Sequence, residues 1–257
     1  MLRRRVAIGL VAVSFWGLGC DDKPAVPKAQ DTPVPTTTAV PAPKPPPDPL
    51  ADLTVDELGP FLQTHRVDMA AKDADDKLKA IIAGLPVKQK VVPITATRNC
   101  KTQFVGALAR ALGEAGALEI DVKTPGRSGA ETVLKLVPQQ VVSATTPDCS
   151  VVAMVKKDNT SAVWHLKGGT ASKFSKGLAG PDMSMTYDGM KSQMAPCSST
   201  SWFLAGEENV IWGLVFDLGQ IVATAEPPPK ATSAVFLDEP PIAGRPVVLA
   251  RNKKALP

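Results

Sequence analysis

The sequence contains little histidine and little cysteine, with two histidines and four cysteines in 257 residues. His65 and His165 have no cysteine, histidine or carboxylate at zinc-ligand spacing, which excludes the common zinc motifs. The turn at 126–129 has two glycines but lacks the spacing of a phosphate-binding loop. The serine-rich stretch at 198–201 lacks the context of a nucleophile elbow. No pattern therefore indicates a catalytic residue, a metal site or a cofactor.

A long apolar run is also missing. Three arginines, Arg3–Arg5, precede an apolar segment of about 13 residues, Val6–Leu18, whereas a membrane-spanning helix needs about 20. This arrangement is typical of a secretory signal. The segment ends in Gly17-Leu18-Gly19-Cys20, which resembles the lipobox of bacterial lipoproteins, although Gly17 stands where leucine is usual. We expect a lipoprotein signal peptide over residues 1–19 and acylation of Cys20, which would anchor the chain in a lipid bilayer. The alternative is an ordinary signal peptide in which Cys20 is incidental.

A strong charge of either sign is absent from the expected mature chain. The formal net charge of +4 includes the three leader arginines, so processing lowers it to about +1. A chain without a basic field is not expected to bind nucleic acid. Asp21 and Asp22 follow the cysteine and fit the inner-membrane retention rule of enteric bacteria. That rule varies between bacterial groups, so we expect a membrane-anchored lipoprotein that faces the periplasm and leave its membrane open.

A proline-rich spacer follows the cysteine. Lys23–Pro49 contains ten prolines in 27 residues and almost no large apolar side chain. Such a segment cannot bury enough surface to offset its ordering entropy. Extended at about 3.1 Å per residue, it would span roughly 80 Å. We interpret residues 20–50 as a disordered spacer that holds a folded body away from the membrane.

The first predicted lobe comprises residues 51–140. Thr54–Glu57 has the pattern of a capping box and predicts a helix through Leu58, Phe61 and Leu62. The remaining patterns predict a helix from 75 to 82, a strand over 90–97 with Pro93 at an edge or bulge, a helix over 99–116, and strands over 117–122 and 132–137.

The second predicted lobe comprises residues 141–257. Two apolar runs, Cys149–Lys156 and Ser161–Leu166, predict a β-hairpin. A helix over 182–194 contains four methionines, which we assign to core packing. A strand from 201, a helix and a strand over 234–237 follow. The second helix has an apolar stripe and is expected to end before Pro227–Pro229: Ile211, Leu214, Val215, Leu218, Ile221 and Val222.

The two lobes resemble each other in pattern. Each contains a strand, a polar turn, a helix and a second strand, preceded by helical sequence. Asn99 and Asn209 precede the equivalent helices, where their side chains are expected to cap free amides. We therefore predict an α+β fold of two similar lobes, each a small mixed sheet with helices packed on one face. Chance similarity between two such units is the alternative.

The second lobe resembles the periplasmic domain of ExbD/TolR proteins over residues 149–237. The order is hairpin, helix, strand, helix, strand, and the nearest local match is Phe203–Ala223, with its Val-Ile-Trp-Gly-Leu-Val-Phe-Asp-Leu run. Family members have an N-terminal membrane helix with an acidic residue that serves a proton-driven motor. This chain has neither after loss of residues 1–19. The resemblance therefore implies a periplasmic interaction module or a cell-wall-associated module, and no site residues transfer.

Three cysteines remain after Cys20. An oxidising compartment favours a disulfide, and Cys149 and Cys197 both lie in the second lobe at the start of strand-like runs. We predict that they pair and stabilise the fold by about 2–4 kcal/mol. Cys100 lies beside a helix N-terminus, which is expected to lower its thiol pKa. It is either a reactive thiol or a small buried residue.

These patterns predict a non-enzymatic, tethered binding module. Its expected partner is an envelope protein, such as one of an ExbD/TolR-type system, or a component of the cell wall. One alternative is a cell-wall-directed hydrolase whose residues converge only in the folded chain, and another is a small-ligand carrier with a site between the lobes. Because the apolar helix stripes are needed for the core, binding would use loops, sheet edges or the groove between the lobes. Glu207 and Glu208 are either part of such a surface or a plain polar loop.

Overall fold

The computed structural model describes residues 48–142, 149–167, 170–171, 176–178, 183–195, 201–224, 233–247 and 249. These residues belong to one compact unit that begins at Pro46. Among these described residues, four α-helices and one mixed twelve-stranded sheet give an α+β fold, as predicted. The helices are α1 Ala74–Ala83, α2 Thr102–Glu114, α3 Met183–Met194 and α4 Trp212–Ala223. The strands are β1 Leu53–Asp56, β2 Gly59–Leu62, β3 His65–Arg66, β4 Val91–Ala96, β5 Glu119–Pro125, β6 Glu131–Pro138, β7 Cys149–Val155, β8 Ser161–Lys167, β9 Thr170–Ala171, β10 Lys176–Leu178, β11 Ser201–Gly206 and β12 Ser233–Phe236.

The helix predicted from the capping-box pattern is wrong, because this segment forms the β1–β2 hairpin. Leu53 pairs with Leu62, and Asp56 pairs with Gly59 across the turn. The carboxylate of Asp56 accepts a hydrogen bond from the amide of Leu58, 2.9 Å away, which favours a turn over a helix. Gly59 adopts a φ of 121°, a conformation that side-chain-bearing residues rarely take. Local turn chemistry therefore outweighs the capping pattern.

The other predicted elements are present with shifts of a few residues at their ends. In α4, however, the predicted stripe is only partly correct. Ile211 lies before the helix and its side chain is 41% exposed. The buried residues of the helix are instead eight: Trp212, Gly213, Val215, Phe216, Asp217, Leu218, Gly219 and Val222. Aromatic residues next to the predicted stripe therefore carry much of the packing of this helix.

The two halves of the sheet share one strand order. In the first half (residues 48–142) the order is β2-β1-β4-β5, and in the second half (residues 149–249) it is β8-β7-β11-β12. In each half the first two strands are antiparallel and the following pairs are parallel. The strand β6 lies between the halves, antiparallel to β5 and parallel to β12. Both predicted lobes therefore contribute to one continuous sheet.

Equivalent residues in the two halves make equivalent hydrogen bonds. The strands β4 and β11 have the same length, and each residue of β4 corresponds to the residue 110 positions later. The amide of Thr97 donates to the carbonyl of Val55, and the amide of Glu207 donates to the carbonyl of Val155, both at 2.9 Å. This correspondence allows the sites at the strand ends to be compared residue by residue.

The helices cover one face of the sheet. The buried apolar residues of α1, α2 and α4, together with Met190 of α3, belong to a single core that includes alternate residues of the strands. On the opposite face, a second core of buried residues lies over the second half, where Phe203 and Trp164 pack with Leu249, and the half-buried Val137 and Val142 border it. The same face of the first half is open, with Val133 44% exposed and Lys135 paired to Glu119 at 3.0 Å. We call this surface the open face.

Candidate functional site

The N-termini of α2 and α4 meet at the centre of the helix-covered face. Lys101 and Ile211, the residues before the two helices, form a short antiparallel bridge. The amide of Thr102 donates to the carbonyl of Val210 at 2.8 Å, and the amide of Trp212 donates to the carbonyl of Cys100 at 2.7 Å. The two helix starts are thus joined by reciprocal backbone bonds, which fix each helix relative to the strand ends of both halves.

The predicted capping by Asn99 and Asn209 is wrong. The residues at the capping positions are Lys101 and Ile211, and neither makes a side-chain capping bond. Helix N-termini leave amides that need acceptors. Here the first amide of each helix finds its acceptor in the backbone that precedes the other helix. A long-range contact, which no local pattern could indicate, therefore replaces the cap.

One crevice at the strand ends is filled by aromatic side chains. This first crevice lies at the carboxyl ends of β4 and β5, where the fully buried indole of Trp212 donates from Nε1 to Oγ1 of Thr124 at 2.9 Å. The ring of Phe216 lies 6.1 Å from that of Trp212, centroid to centroid. Tilted aromatic pairs of this kind add to the energy of burial. The first crevice therefore belongs to the core.

Charged side chains close the first crevice. The guanidinium of Arg98 donates to both carboxylate oxygens of Asp217, at 2.9 and 2.7 Å, and to the carbonyl of Pro125 at 3.0 Å. Arg127 Nε donates to the same carboxylate at 2.7 Å. Burial raises the pKa of Asp217, but the hydrogen bonds from the two arginines outweigh burial and hold that pKa below its ordinary value. The cluster ties both halves to the β5–β6 turn.

The second crevice, at the carboxyl ends of β11 and β12, is open. Strand register makes it the counterpart of the first, because Val92 pairs with Ile120 as Trp202 pairs with Ala234. The position of Trp212 is taken here by Thr102, and that of Phe216 by Gly106. Neither residue carries a ring, and both line a cavity of about 320 Å³. Its lining includes Thr102, Gly106, Gly206, Glu208, Phe236 and Asp238.

The cavity has the opposite charge pattern to the first crevice. Glu208 stands at the position of Arg98, and Ala107 at that of Asp217, so the ion pair has no counterpart here. No hydrogen bond or ion pair joins Glu208 to the described part of the chain. Asp238 accepts from Arg110 at 3.4 Å. The hydroxyl of Thr102 is buried and has no hydrogen-bond partner in the structure.

The cavity can hold a small ligand without rearrangement of the sheet. Ligands of open α/β sheets commonly bind outside the carboxyl ends of parallel strands. A volume of about 320 Å³ reaches the lower end of the usual range for small-molecule sites. Of the residues singled out from the sequence, Glu207 and Glu208 line this cavity. From the sequence, only an alignment of the two halves that sets Thr102 and Gly106 in the places of Trp212 and Phe216 would have indicated this cavity.

Cys100 is buried, which agrees with the second of its two predicted roles, a small buried residue. Its side chain is 0% exposed. Burial, with a smaller contribution from the charge of Glu57, raises its thiol pKa to about 12. The predicted lowering by the helix N-terminus is therefore wrong. Desolvation of the thiolate outweighs the helix dipole, whose first amide is already bonded.

The remaining predicted site residues either lie outside the described residues or lie far apart in the sheet. Cys20 and Cys197 lie outside the described residues, as does the side chain of Cys149, so acylation and the disulfide stay predictions. His65 and His165 lie in β3 and β8, near opposite edges of the sheet. Within the described ranges, no three histidine, cysteine or acidic side chains cluster as metal ligands would. None of the helices described is long and apolar enough to cross a membrane.

Comparison with known proteins gives no relative. No protein family, no curated protein and no solved structure matches this chain. The site must therefore be interpreted from its own geometry.

Proposed function

We propose that this protein is an exported lipoprotein whose folded body binds another molecule of the cell envelope and catalyses no reaction. The cavity of about 320 Å³ at the ends of β11 and β12 is the observation that carries the proposal. It is a preformed concave site with polar groups at its lining, as binding sites usually are. Acylated Cys20 and the proline-rich spacer over residues 20–50 would present this site to the periplasm at a distance from the bilayer.

The proposal includes a fold of two similar lobes, over residues 51–140 and 141–257, that resembles the ExbD/TolR periplasmic domain. The common strand order of the two halves and their equivalent backbone bonds support a duplication. The order hairpin, helix, strand, helix, strand, on which the resemblance is based, occurs in each half. An envelope protein of an ExbD/TolR-type system or a cell-wall component is accordingly the partner we propose.

A small-ligand carrier is a second candidate, and the same cavity favours it. A carrier would bind a diffusible molecule, whereas a tethered interaction module would bind a group that belongs to a larger partner. The lining of the cavity includes the exposed Glu208 and the half-buried Glu207. Either occupant could enter there, so the two candidates are separated by the size of what is captured.

Photocrosslinking in the native cells tests the proposal. A photoreactive residue replaces Gln103, which lines the cavity, and, as a matched control, Val133 on the open face. We expect a discrete high-molecular-weight adduct from position 103 and none from position 133. A low-molecular-weight adduct from 103 would favour the carrier. Equal adducts from both positions, or none from either, would contradict a binding role for the cavity.

Metabolic labelling tests the anchor separately. We expect a labelled fatty acid to be incorporated into the wild-type protein and not into Cys20→Ser. Equal absence of label from both proteins would refute acylation at this position and leave an ordinary signal peptide as the interpretation.

A further inference from the structure

We infer that the cavity at the ends of β11 and β12 binds the guanidinium group of an arginine side chain on the partner protein. This inference rests on the proposed function and specifies the chemical class of the group that the cavity accepts. The evidence is the negative charge of the lining, the spread of its carboxylates over two strand ends, and a buried hydroxyl that has no partner.

The lining of the cavity carries charge of one sign. Among the ten described residues that form it, Glu207, Glu208 and Asp238 are acidic, and none is a lysine, an arginine or a histidine. A cleft lined by charges of one sign concentrates ions of the opposite sign. The cavity therefore selects a cation over an anion or a neutral group.

Carboxylate oxygens of this lining remain available as acceptors. Glu208 is exposed and makes no hydrogen bond or ion pair to the described part of the chain. Oε2 of Glu207 accepts from the amide of Lys157 at 2.8 Å, which leaves Oε1 for a ligand. Oδ2 of Asp238 accepts from Arg110 at 3.4 Å, longer than the usual charge-assisted bond of about 2.7–2.9 Å. A cationic ligand would thus meet acceptors that the fold has not already used.

The carboxylates belong to two neighbouring strand ends. The strands β11 and β12 are parallel and Leu204 pairs with Phe236, so Gly206 and Asp238 follow side by side. The two glutamates come directly after Gly206. Within the described ranges, no three acidic, histidine or cysteine side chains lie close enough together to hold a metal ion. A planar guanidinium with five N–H donors suits such dispersed acceptors better than a compact cation does.

The buried hydroxyl of Thr102 is a further acceptor in the same lining. Thr102 is 2% exposed, and its Oγ1 has no hydrogen-bond partner in the structure. This oxygen lies beside Gly206, another lining residue, since a Cβ added there would be 3.3 Å from it. A buried hydroxyl without a partner has lost its bonds to water and gained none in return. An N–H of the bound guanidinium would supply the missing donor.

The start of α2 does not reverse the selectivity for a cation. A helix N-terminus favours anions through its free amides. The first amide of α2, at Thr102, already donates to the carbonyl of Val210, and the amide of Phe104 donates to the carbonyl of Lys101 at 3.0 Å. The carboxylates of the lining therefore decide the sign of the charge that the cavity accepts.

Binding of short capped peptides to the full mature chain tests the inference. The arginine peptide is acetyl-Gly-Arg-Gly-amide. A citrulline peptide replaces the guanidinium with an uncharged urea group of the same shape, and a lysine peptide replaces it with a compact ammonium. Titrations followed by NMR of the isotope-labelled protein measure each affinity. We expect the arginine peptide to bind about tenfold more tightly than the citrulline peptide and about threefold more tightly than the lysine peptide. Absence of arginine-peptide binding, or equal affinity for either of the other two, would overturn the inference.

A pair of charge variants locates the bound peptide. Glu208→Gln is expected to weaken binding of the arginine peptide about three- to tenfold, because one charge-assisted contact becomes neutral. Glu131→Gln, a change at an exposed residue of β6, is the matched control and should leave the affinity unchanged. Equal effects of the two variants would contradict the site.

Thr102→Val separates a binding role of the hydroxyl from a structural role. Valine keeps the shape of threonine and removes the hydroxyl. Because Oγ1 of Thr102 has no partner in the free protein, we expect urea unfolding to show equal or higher stability. The affinity for the arginine peptide should nevertheless fall about three- to tenfold, since one hydrogen bond is lost. Unchanged affinity would contradict the proposed contact.

Failure of the inference is distinguishable from failure of the proposed function. If the arginine peptide does not bind but position 103 still crosslinks a large partner, the proposed function stands and the inference is wrong. If the arginine peptide binds with the expected selectivity but position 103 gives only a low-molecular-weight adduct, the ligand class stands. The guanidinium then belongs to a diffusible molecule, and the carrier replaces the interaction module.

Discussion

Replacing Asp217 with asparagine should destabilise the folded body strongly. The Asp217 side chain is 11% exposed and accepts two hydrogen bonds from Arg98 and one from Arg127. Asparagine keeps the shape but loses the charge and can accept at only one oxygen. The Arg98 side chain, 26% exposed, would lose its counter-ion.

The magnitude follows from the number and burial of these bonds. Hydrogen bonds to charged groups contribute about 1.5–3 kcal/mol, and breaking a buried ion pair costs about 3–5 kcal/mol. Arg127, with a side chain 61% exposed, adds little because solvent screens it. Because Arg98 keeps some solvent and its bond to Pro125, we expect a loss of about 2–3 kcal/mol in the free energy of unfolding. A domain of this size would then melt about 5–10 °C lower.

Urea unfolding at pH 7 measures this effect. Asp73→Asn is the matched control, since Asp73 pairs with Lys77 at 3.0 Å but its side chain is 58% exposed. We expect the control to change stability by less than about 0.5 kcal/mol. Similar losses for both variants would refute the assignment of Asp217 as the tie between the halves.

The dependence on pH gives a second check. The folded pKa of Asp217 is below its ordinary value of 3.8. Its ionised form therefore stabilises the fold fully above the unfolded pKa, and this contribution is lost as the pH falls through the lower folded pKa. The difference between wild type and Asp217→Asn should be present at pH 7 and should shrink below about pH 4. A difference of the same size at pH 2 would contradict an electrostatic origin.

Two further predictions concern the helix junction. Gly213→Ala should lower the free energy of unfolding by about 1–3 kcal/mol, because the added Cβ would lie 2.9 Å from the backbone carbonyl oxygen of Arg98. Gly84→Ala is the control in the same urea experiment. Its added Cβ would lie 3.5 Å from the nearest atom, so its stability should stay close to that of the wild type. Cys100 should resist alkylation by iodoacetamide at pH 8 in the native protein and react fully in urea, since its thiol is buried and its pKa is about 12. Peptide mass spectrometry would show this at Cys100, and rapid native labelling there would refute the buried assignment.

Periodicity and turn chemistry predicted most helices and strands because these depend on neighbouring residues. The hairpin at β7–β8 and the helix α2 follow directly from alternation and from a helical stripe. The helix predicted over 54–62 is wrong because a capping pattern and a turn both use Thr and Asp, and here the bond from the Leu58 amide to Asp56 and the positive φ of Gly59 make a turn. Similarly, Trp212 and Phe216 lie beside the apolar stripe of α4, and their burial depends on the strands beneath.

The sequence by itself determined the leader pattern with Cys20, the proline-rich composition of residues 23–49 and most of the helices and strands after residue 74, since each is a local property of the chain. Only the tertiary structure decided that the halves share one sheet and that the starts of α2 and α4 satisfy each other's amides. It also decided that Thr102 and Gly106 line a cavity, whereas Trp212 and Phe216 are buried at the equivalent crevice. An unfilled volume has no local signature, because it depends on residues more than a hundred positions apart that pack against the same strand ends.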